Sequence, residues 1–394
     1  MSRQKPKFEI ADIFREYYYD LPPLSKEQRK VVNAILNCRT SALGGHELHC
    51  SCCPHTEKSY NSCGNRHCPK CGALAREKWL NGRMQDLLPV PYFHVVFTVP
   101  RELNNLFLWN RRKMYSLLVK IVSRTIIDSA GRNLGIQPGM LKVLHTWGQN
   151  LDFHPHVHCI VYGGGLSNNK WISSKKDFYI HVKKFSRLFR GKFLAALKKM
   201  SKSGGLRNPE KDPTPFSFEQ FIPLAKEMYK KEWVVYSKKP FGGPEQVLKY
   251  LSRYTHRVAI SNYRLKDISG GNITFTWKDY RTCKRKVMKL SAREFMRRFL
   301  LHVLPRGFVK IRSCGFLNNR IKKAQLALCR NELGVCQTQT ASCTIAADIL
   351  ENAKINFTNR QICPLCKTGI LIITKIRAFY ESNFIGGCAP PCRA

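Results

Sequence analysis

The sequence predicts an α+β protein, in which a small cysteine-rich unit precedes a central antiparallel sheet flanked by helices. Three observations support this prediction. Cysteines cluster near the N-terminus, strand-like and helical runs alternate from about residue 92 to 331, and a turn at 149–153 separates two strand-like runs. Strand, helix and hairpin in this order favour an α+β layer over a purely parallel sheet.

The composition indicates an ordered protein with a polyanionic partner. Apolar residues make up 43% of the 394 positions, and 67 Lys and Arg residues against 26 acidic ones give a formal charge of +41. Nucleic acid and an anionic membrane surface both attract such a charge. The basic residues are interleaved with aromatic ones along the whole chain, as in 190–193 and 277–281, which favours nucleic acid.

The chain shows no signal-like start and no apolar run near the roughly 18 residues of a membrane span. We therefore expect a cytoplasmic protein with no membrane partner. Clustered C-x2-C pairs also fit a reducing compartment better than a disulfide framework does.

The elements follow one another in four segments. We expect a helical segment at 1–37, a zinc-binding domain with its linker helix at 38–88, a catalytic domain at 89–330, and a C-terminal tail at 331–394. Strands are predicted at 92–99, 141–147, 156–162, 233–237, 257–264, 272–277 and 284–290. Helices are predicted at 74–88, 103–134, 181–200, 217–231, 245–256, 291–303 and 316–331.

The stretch from Cys38 to Cys71 holds seven cysteines and four histidines in 34 residues and reads as loop-like. It has too little aliphatic content to fold without help, so we expect Zn²⁺ to supply the missing stability. A C-x2-C turn aims two thiolates at one tetrahedral ion.

The spacing leaves one or two zinc ions open. One four-thiolate site is expected from Cys50, Cys53, Cys68 and Cys71. A second set, which the sequence leaves open, comprises Cys38, His46, Cys63 and His67. Cys52 could compete for either ion, and Cys363-x2-Cys366 resembles half of a further ribbon, with Cys388 and Cys392 as candidate partners.

Basic side chains stand beside these cysteines. Arg66 and Lys70 are candidates for phosphate contacts, and the alternative is that the unit is a purely structural clip.

Three histidines occur at every second position in the run Leu151–Tyr162. On a strand, His156 and His158 share one face, about 7 Å apart, and could hold a cation while leaving positions open for a phosphate oxygen. An H-x-H pair also arises by chance in chains with 12 histidines among 394 residues, so the pattern needs a nucleophile beside it.

Two tyrosines supply that nucleophile. Tyr250 and Tyr254 are neighbours on one face of the predicted helix 245–256, which Pro244 opens. A lone Y-x3-Y pair is usually packing, but a phenol can attack a phosphodiester when a metal polarises the phosphate. Three basic residues lie close to the tyrosines: Lys249, Arg253 and Arg257. Their charges lower the cost of forming a phenolate, and they are candidates for contacts with DNA.

The motifs together resemble those of the HUH nucleases, and within them the rolling-circle insertion-sequence transposases of the ninety-one family. They occur in the family's order over residues 38 to about 320: Cys38–Thr40, Ala42–His46, Asn61–Cys71, Phe93–Pro100, His145–Gln149, His154–His158, Tyr250–Tyr254 and Leu304–Phe308.

This resemblance implies a central antiparallel sheet of the HUH type, with the histidine strand in its middle and the tyrosine helix across that face. It implies that His156 and His158 hold Mg²⁺ or Mn²⁺ and that both tyrosines are nucleophiles. His145 is our first choice for the third ligand, because a turn at 149–153 would place it across from the pair. Gln149 and His154 remain alternatives, and His94 is interpreted as a packing residue.

The implied activity is that of a metal-dependent DNA strand transferase that nicks and rejoins single-stranded element ends and target DNA through 5'-phosphotyrosine. The chain has no G-x4-G-K-[ST] motif, so host replication and unwinding proteins are expected partners. The rivals are a replication initiator or relaxase with the same chemistry, and a non-catalytic zinc-dependent DNA-binding protein.

Overall fold

The fold is described from a computed structural model, which covers residues 5–174, 180–209, 214–238, 246, 255–279, 282–335 and 361–377. Its helices are α1 Ile10–Tyr17, α2 Lys26–Leu36, α3 Gly72–Met84, α4 Asn104–Trp109, α5 Arg111–Leu134, α6 Val182–Lys202, α7 Phe218–Lys230, α8 Ala292–Leu301 and α9 Lys322–Glu332. In those ranges, no helix is both long enough and apolar enough to cross a bilayer.

The strands form three antiparallel sheets within the described residues. Their bounds are β1 Gly45–Cys50, β2 Thr56–Tyr60, β3 Tyr92–Thr98, β4 Gln137–Trp147, β5 Phe153–Ser167, β6 Lys170–Ser173, β7 Val235–Lys238, β8 Leu265–Ser269, β9 Asn272–Lys278, β10 Arg285–Ser291, β11 Ile311–Gly315, β12 Gln361–Ile362 and β13 Ile370–Arg377. The predicted α+β class is confirmed.

The largest sheet has the order β11-β4-β5-β3-β7, with β6 attached to β5. Strand β5 therefore lies between β4 and β3, and both pairings are antiparallel. Its alternation decides what each face holds, since successive side chains point to opposite sides. Val157, Cys159 and Val161 are fully buried in one core, whereas the even-numbered residues face the other way.

Helices α5, α6 and α7 cover the face of odd-numbered residues. The core there is rich in aromatic rings, and Phe97 contacts the rings of Phe185 and Phe189 at centroid distances of 5.6 and 5.2 Å. Burying a side chain of this size stabilises the fold by roughly 1.5–3 kcal/mol. This helical layer packs against the face of β5 that is opposite the histidines.

The other face carries a smaller core at one end. Tyr162 packs against Phe316 there, with ring centroids 5.4 Å apart. A Cβ at Gly139 would lie 2.3 Å from the Phe316 ring, so only glycine lets that ring close over β4. The opposite end of this face holds the histidines.

The N-terminal helices α1 and α2 pack on α8 and the small sheet β10-β9-β8. Ser25 begins α2 through a capping box with Gln28, which satisfies two free backbone N–H groups. The rings of Phe14 and Phe299 meet edge to face at 5.8 Å. The N-terminal segment is thus part of the same folded body.

A third sheet has the order β12-β13-β1-β2 and joins the two ends of the chain. The prediction that 38–71 is loop-like was wrong here, because β1 and β2 pair from Gly45 and Tyr60 to His49 and Thr56. The sheet is completed by β13, more than 300 residues later, so local sequence alone could not show it.

The strand predicted at 257–264 was also wrong. This stretch is irregular backbone with a bend at 259–260 and a short 3₁₀ helix at Asn262–Arg264, and the strand begins at Leu265. The Asn262 side chain accepts a hydrogen bond of 3.2 Å from the backbone N–H of Ile10, so a contact with α1 overrides the local β pattern.

Candidate active site

Three histidines meet on the open face of the central sheet. His145 on β4 pairs directly with His156 on β5, and His158 follows two residues along the same face. One ring nitrogen from each lies within 4.8 Å of the other two. Three imidazoles at this spacing can bind one cation and leave positions free for a substrate oxygen.

His156 has its tautomer fixed by the backbone. Its Nδ1 lies 2.7 Å from the carbonyl oxygen of His154, which can only accept, so Nδ1 donates. In a neutral ring Nε2 then carries a lone pair and is free to act as a ligand. Burial lowers the pKa of His156 to about 3, so the ring is neutral at physiological pH.

His158 is held from the side by His94. Nε2 of His94 lies 2.9 Å from Nδ1 of His158, and the two rings lie edge to edge, with centroids 5.2 Å apart and an angle of 5° between their planes. Burial lowers the pKa of both residues, that of His94 to about 4. A partner on one ring nitrogen orients a metal-binding histidine and selects its tautomer.

The sequence interpretation of His94 therefore missed its contact with His158. His94 is buried on β3 and pairs with Ile160, two residues from His158 on β5. A histidine at an otherwise apolar position of the first strand was the available signal. Only the β3–β5 register shows that it reaches His158.

Trp147 and Lys310 form a wall beside the histidines. The Trp147 ring stacks on His145 at 4.6 Å, and Lys310 Nζ lies 4.9 Å from the centre of that ring. Lys310 donates a 3.0 Å hydrogen bond to the carbonyl oxygen of Arg257. Burial, with Arg66 and Arg257 nearby, lowers the pKa of Lys310 to about 7. The sequence motifs gave no signal for this lysine.

The polypeptide after the tyrosine motif runs close to this site. Arg257 is near enough to depress the pKa of His156 and of His158, after the larger effect of burial. Tyr250 and Tyr254, with Lys249 and Arg253, lie outside the described residues.

The two alternative third ligands do not join the histidine group. The backbone oxygen of Gln149 accepts a hydrogen bond from Arg264. The His154 ring is exposed, with its centroid 5.2 Å from that of His156. Among the described residues, His145 is the third member of the group.

The thiols form two groups that differ from the expected ones. Cys38 joins Cys63, Cys68 and Cys71, with Cys38 Sγ 3.4 Å and Cys63 Sγ 3.6 Å from Cys71 Sγ. Cys50 and Cys53, which we expected beside Cys68 and Cys71, lie elsewhere. The C-x2-C spacing indicates which thiols share a turn, but it cannot indicate which turns meet.

Two histidines expected beside these thiols stand apart. Nε2 of His67 accepts from the backbone N–H of Leu304 at 3.4 Å, and burial lowers its pKa to about 3. His46 lies on β1 opposite Ser59 and outside both thiol groups.

The second thiol group brings the ends of the chain together. Cys50 and Cys53 lie with Cys363 and Cys366, and the Sγ atoms of Cys50 and Cys366 are 3.6 Å apart, as are those of Cys53 and Cys363. The predicted half ribbon therefore has described partners at the N-terminal side, whereas Cys388 and Cys392 lie outside the described residues.

A basic cleft of about 600 Å³ separates the first thiol group from the loop before β11. Arg66 and Lys70, which we expected to contact DNA, both line this cleft. Each of them also contacts another residue of the protein. Arg66 donates to the carbonyl oxygen of Phe308 at 2.6 Å, and Lys70 lies 2.5 Å from Glu9. The basic lining residues are Arg39, Arg66, Lys70, Lys78 and Lys310, and none of the described lining residues is acidic.

Comparisons with known proteins agree on one class. Residues 139–325 match the model of a family described as "Putative transposase", and residues 10–99 match that of a "Transposase zinc-binding domain". The chain is 45% identical over 402 residues to "Putative transposase y4qJ" of Sinorhizobium fredii, covering 99% of this chain and 98% of that protein. It is 30% identical over 309 residues to "Transposase for insertion sequence element IS801" of Pseudomonas savastanoi pv. phaseolicola, covering 74% and 70%. No solved structure shows a significant match.

Proposed function

We propose a reaction for this chain, which belongs to the insertion-sequence ninety-one family of transposases with an N-terminal zinc-binding domain. In this proposal the protein nicks and rejoins single-stranded DNA through 5'-phosphotyrosine. A transposase acts on DNA as an endonuclease and strand transferase, in the cytoplasm where the bacterial chromosome lies. The observation that supports this chemistry best is the group of three histidines on the open face of the sheet, beside a basic cleft.

In the proposed reaction, the phenolic oxygen of Tyr250 or Tyr254 attacks the scissile phosphorus. The phosphorus–O3' bond breaks, the 5' strand end becomes linked to the tyrosine, and the phenolic proton ends on the 3'-hydroxyl directly or through solvent. Attack by a 3'-hydroxyl then reverses the step and frees the tyrosine. Two tyrosines permit two such transfers, one for the element end and one for the target.

The donor set fits a divalent cation. His145, His156 and His158 would hold Mg²⁺ or Mn²⁺, which when bound would polarise the scissile phosphate and offset charge in the transition state. Three imidazoles are softer than the oxygen ligands that Mg²⁺ prefers, so we expect Mn²⁺ to be the more effective ion. The lowered pKa values of His156 and His158 keep these two rings neutral, so they can bind the ion without losing protons first.

The DNA would enter along the basic cleft. Lys310 lines that cleft, and both Lys310 and Arg257 lie near enough to His158 to lower its pKa, so each would contact a phosphate that reaches the histidines. Contacts of this kind fix the strand's position without reading its sequence. We infer that Cys38, Cys63, Cys68 and Cys71 bind one zinc ion. This ion would stabilise the side of the cleft that carries Arg66 and Lys70.

The test is the capture of the covalent intermediate. Wild-type protein with Mn²⁺ and a single-stranded oligonucleotide of the element end should give an adduct on a denaturing gel. The band should be absent with EDTA and with the Tyr250→Phe/Tyr254→Phe double variant, because phenylalanine has no attacking oxygen. Peptide mapping should locate the DNA on Tyr250 or Tyr254. Binding without an adduct would support a non-catalytic DNA-binding protein instead.

His94 should control the affinity of the histidine group for Mn²⁺. We expect His94→Ala to weaken Mn²⁺ binding by roughly 10- to 100-fold, because it frees the His158 ring to rotate. His94→Gln offers an oxygen that can accept from His158 Nδ1 and should recover part of the affinity. Calorimetric titration with Mn²⁺ measures both. Equal losses in the two variants would assign His94 a packing role only.

A further inference from the structure

The cysteine pair near the C-terminus and a pair near the N-terminus belong to two hairpins built alike. Cys50 ends β1, and Cys53 lies in the turn before β2. Cys363 follows β12, and Cys366 lies in the turn before β13. Each hairpin thus carries a C-x2-C turn at its tip.

Pairing of β1 with β13 sets the two tips side by side. The register runs from Gly45 opposite Arg377 to Cys50 opposite Leu371. The tips themselves are also bonded, since the Ser51 N–H donates to the Ile370 oxygen at 2.9 Å and the Ile370 N–H donates to Ser51 Oγ at 3.0 Å. The four thiols therefore meet because the sheet aligns them.

From this arrangement we propose that Cys50, Cys53, Cys363 and Cys366 form a second zinc site, which joins the two ends of the chain into one zinc ribbon. The family model for the zinc-binding domain covers residues 10–99 and does not reach the C-terminal pair. The site is therefore additional to the Cys38, Cys63, Cys68 and Cys71 group.

The sulfur spacing matches a tetrahedron of thiolates. Zn–S bonds of about 2.3 Å place neighbouring sulfurs roughly 3.8 Å apart around a tetrahedral ion. The observed separations are 3.6 Å for Cys50–Cys366 and for Cys53–Cys363. A disulfide would need about 2.05 Å. The pairs also cross from one hairpin to the other, as a shared ion requires.

The local backbone is arranged to support charged sulfur. The N–H groups of Cys52 and Gly369 point at Cys50 Sγ and Cys366 Sγ, at 3.4 and 3.3 Å. Such donors stabilise a thiolate over a thiol. A Cβ on Gly369 would lie 2.3 Å from Cys50 Sγ, so this glycine is what allows the two tips to approach. Cys52 is exposed and outside the group, which makes it a matched control.

The test counts zinc per full-length chain by elemental mass spectrometry. Wild type and Cys52→Ser should hold two ions. Cys50→Ser/Cys53→Ser should hold one, and so should Cys363→Ser/Cys366→Ser. The quadruple variant should also hold one, because both pairs serve the same ion. The proposal would be overturned if the C-terminal double variant held two ions. It would also be overturned if each double variant held one ion and the quadruple variant held none, or if the bound metal were iron instead of zinc.

A second measurement decides the case even where a double variant folds poorly. Cys366→His keeps four ligands but replaces one sulfur by nitrogen. In Co²⁺-loaded protein it should weaken the sulfur-to-cobalt charge-transfer band and shift the visible bands, while Cys52→Ser should leave the spectrum as in wild type. An unchanged spectrum in Cys366→His would show that Cys366 binds no metal and would overturn the site.

Discussion

Replacement of His158 by alanine should lower the rate of single-stranded DNA cleavage by roughly 10³-fold or more. The variant loses one of the three histidines that we propose hold the cation, and it removes the ring that His94 contacts at 2.9 Å. A bound cation contributes several kcal/mol to the stabilisation of the transition state, and roughly 4 kcal/mol corresponds to 10³ in rate. Cleavage of a labelled oligonucleotide under single-turnover conditions measures the loss.

His154→Ala is the matched control for this prediction. His154 is on the same strand, but it is exposed and outside the group of three. His156 contacts its backbone oxygen, which alanine retains. We therefore expect His154→Ala to cleave within a few-fold of wild type. A severe loss in His154→Ala beside normal cleavage in His158→Ala would refute the assigned ligand set. Single-stranded DNA affinity should stay near the wild-type value in both variants.

Replacement of Cys68 by serine should cost the protein one zinc ion and much of its stability. Cys68 is 1% exposed and belongs to the core that also holds Cys38 and the N-terminal helices. Loss of a structural site removes several kcal/mol of stability, which for a chain of this size lowers the melting temperature by roughly 5–10 °C. Zinc analysis and thermal unfolding measure the two effects.

Cys52→Ser again serves as the comparison, since its thiol is exposed. It should keep the zinc content and melting temperature of wild type. The first thiol group adjoins the side of the cleft that carries Arg66 and Lys70. We therefore expect Cys68→Ser to bind single-stranded DNA more weakly as well. If Cys68→Ser matches Cys52→Ser in zinc content and melting temperature, the first site is not where we place it.

The sequence predicted much of the fold because its patterns are local. The run around His156 and His158 indicated a strand, and the turn before it indicated the hairpin that sets His145 opposite His156. Of the helices over β5, α7 begins at a capping box of Ser217 with Gln220, and α5 ends at Gly135, whose φ is positive. Each of these features depends on residues that are close to it in the sequence.

What the sequence could not show depends on contacts between distant segments. His94 reaches His158 through strand pairing, and Lys310 reaches Trp147 from a loop more than 150 residues away. Cysteine spacing revealed each two-thiol turn, whereas the combination of turns depends on the pairing of β1 with β13. Register and long-range pairing are set by the whole core, so a single local pattern does not determine them.

The sheet that joins β1 to β13 also has a consequence for the timing of synthesis. Ribosomes add roughly 5–20 residues per second, so Cys53 would emerge about 15 to 60 s before Cys366. During that interval the N-terminal turn has no strand partner from β13 and only half of its thiols. The ribbon can close only after Cys366 has been translated. A prematurely terminated transposase would therefore expose a strand edge and two unpaired thiols, which are features that favour aggregation and degradation.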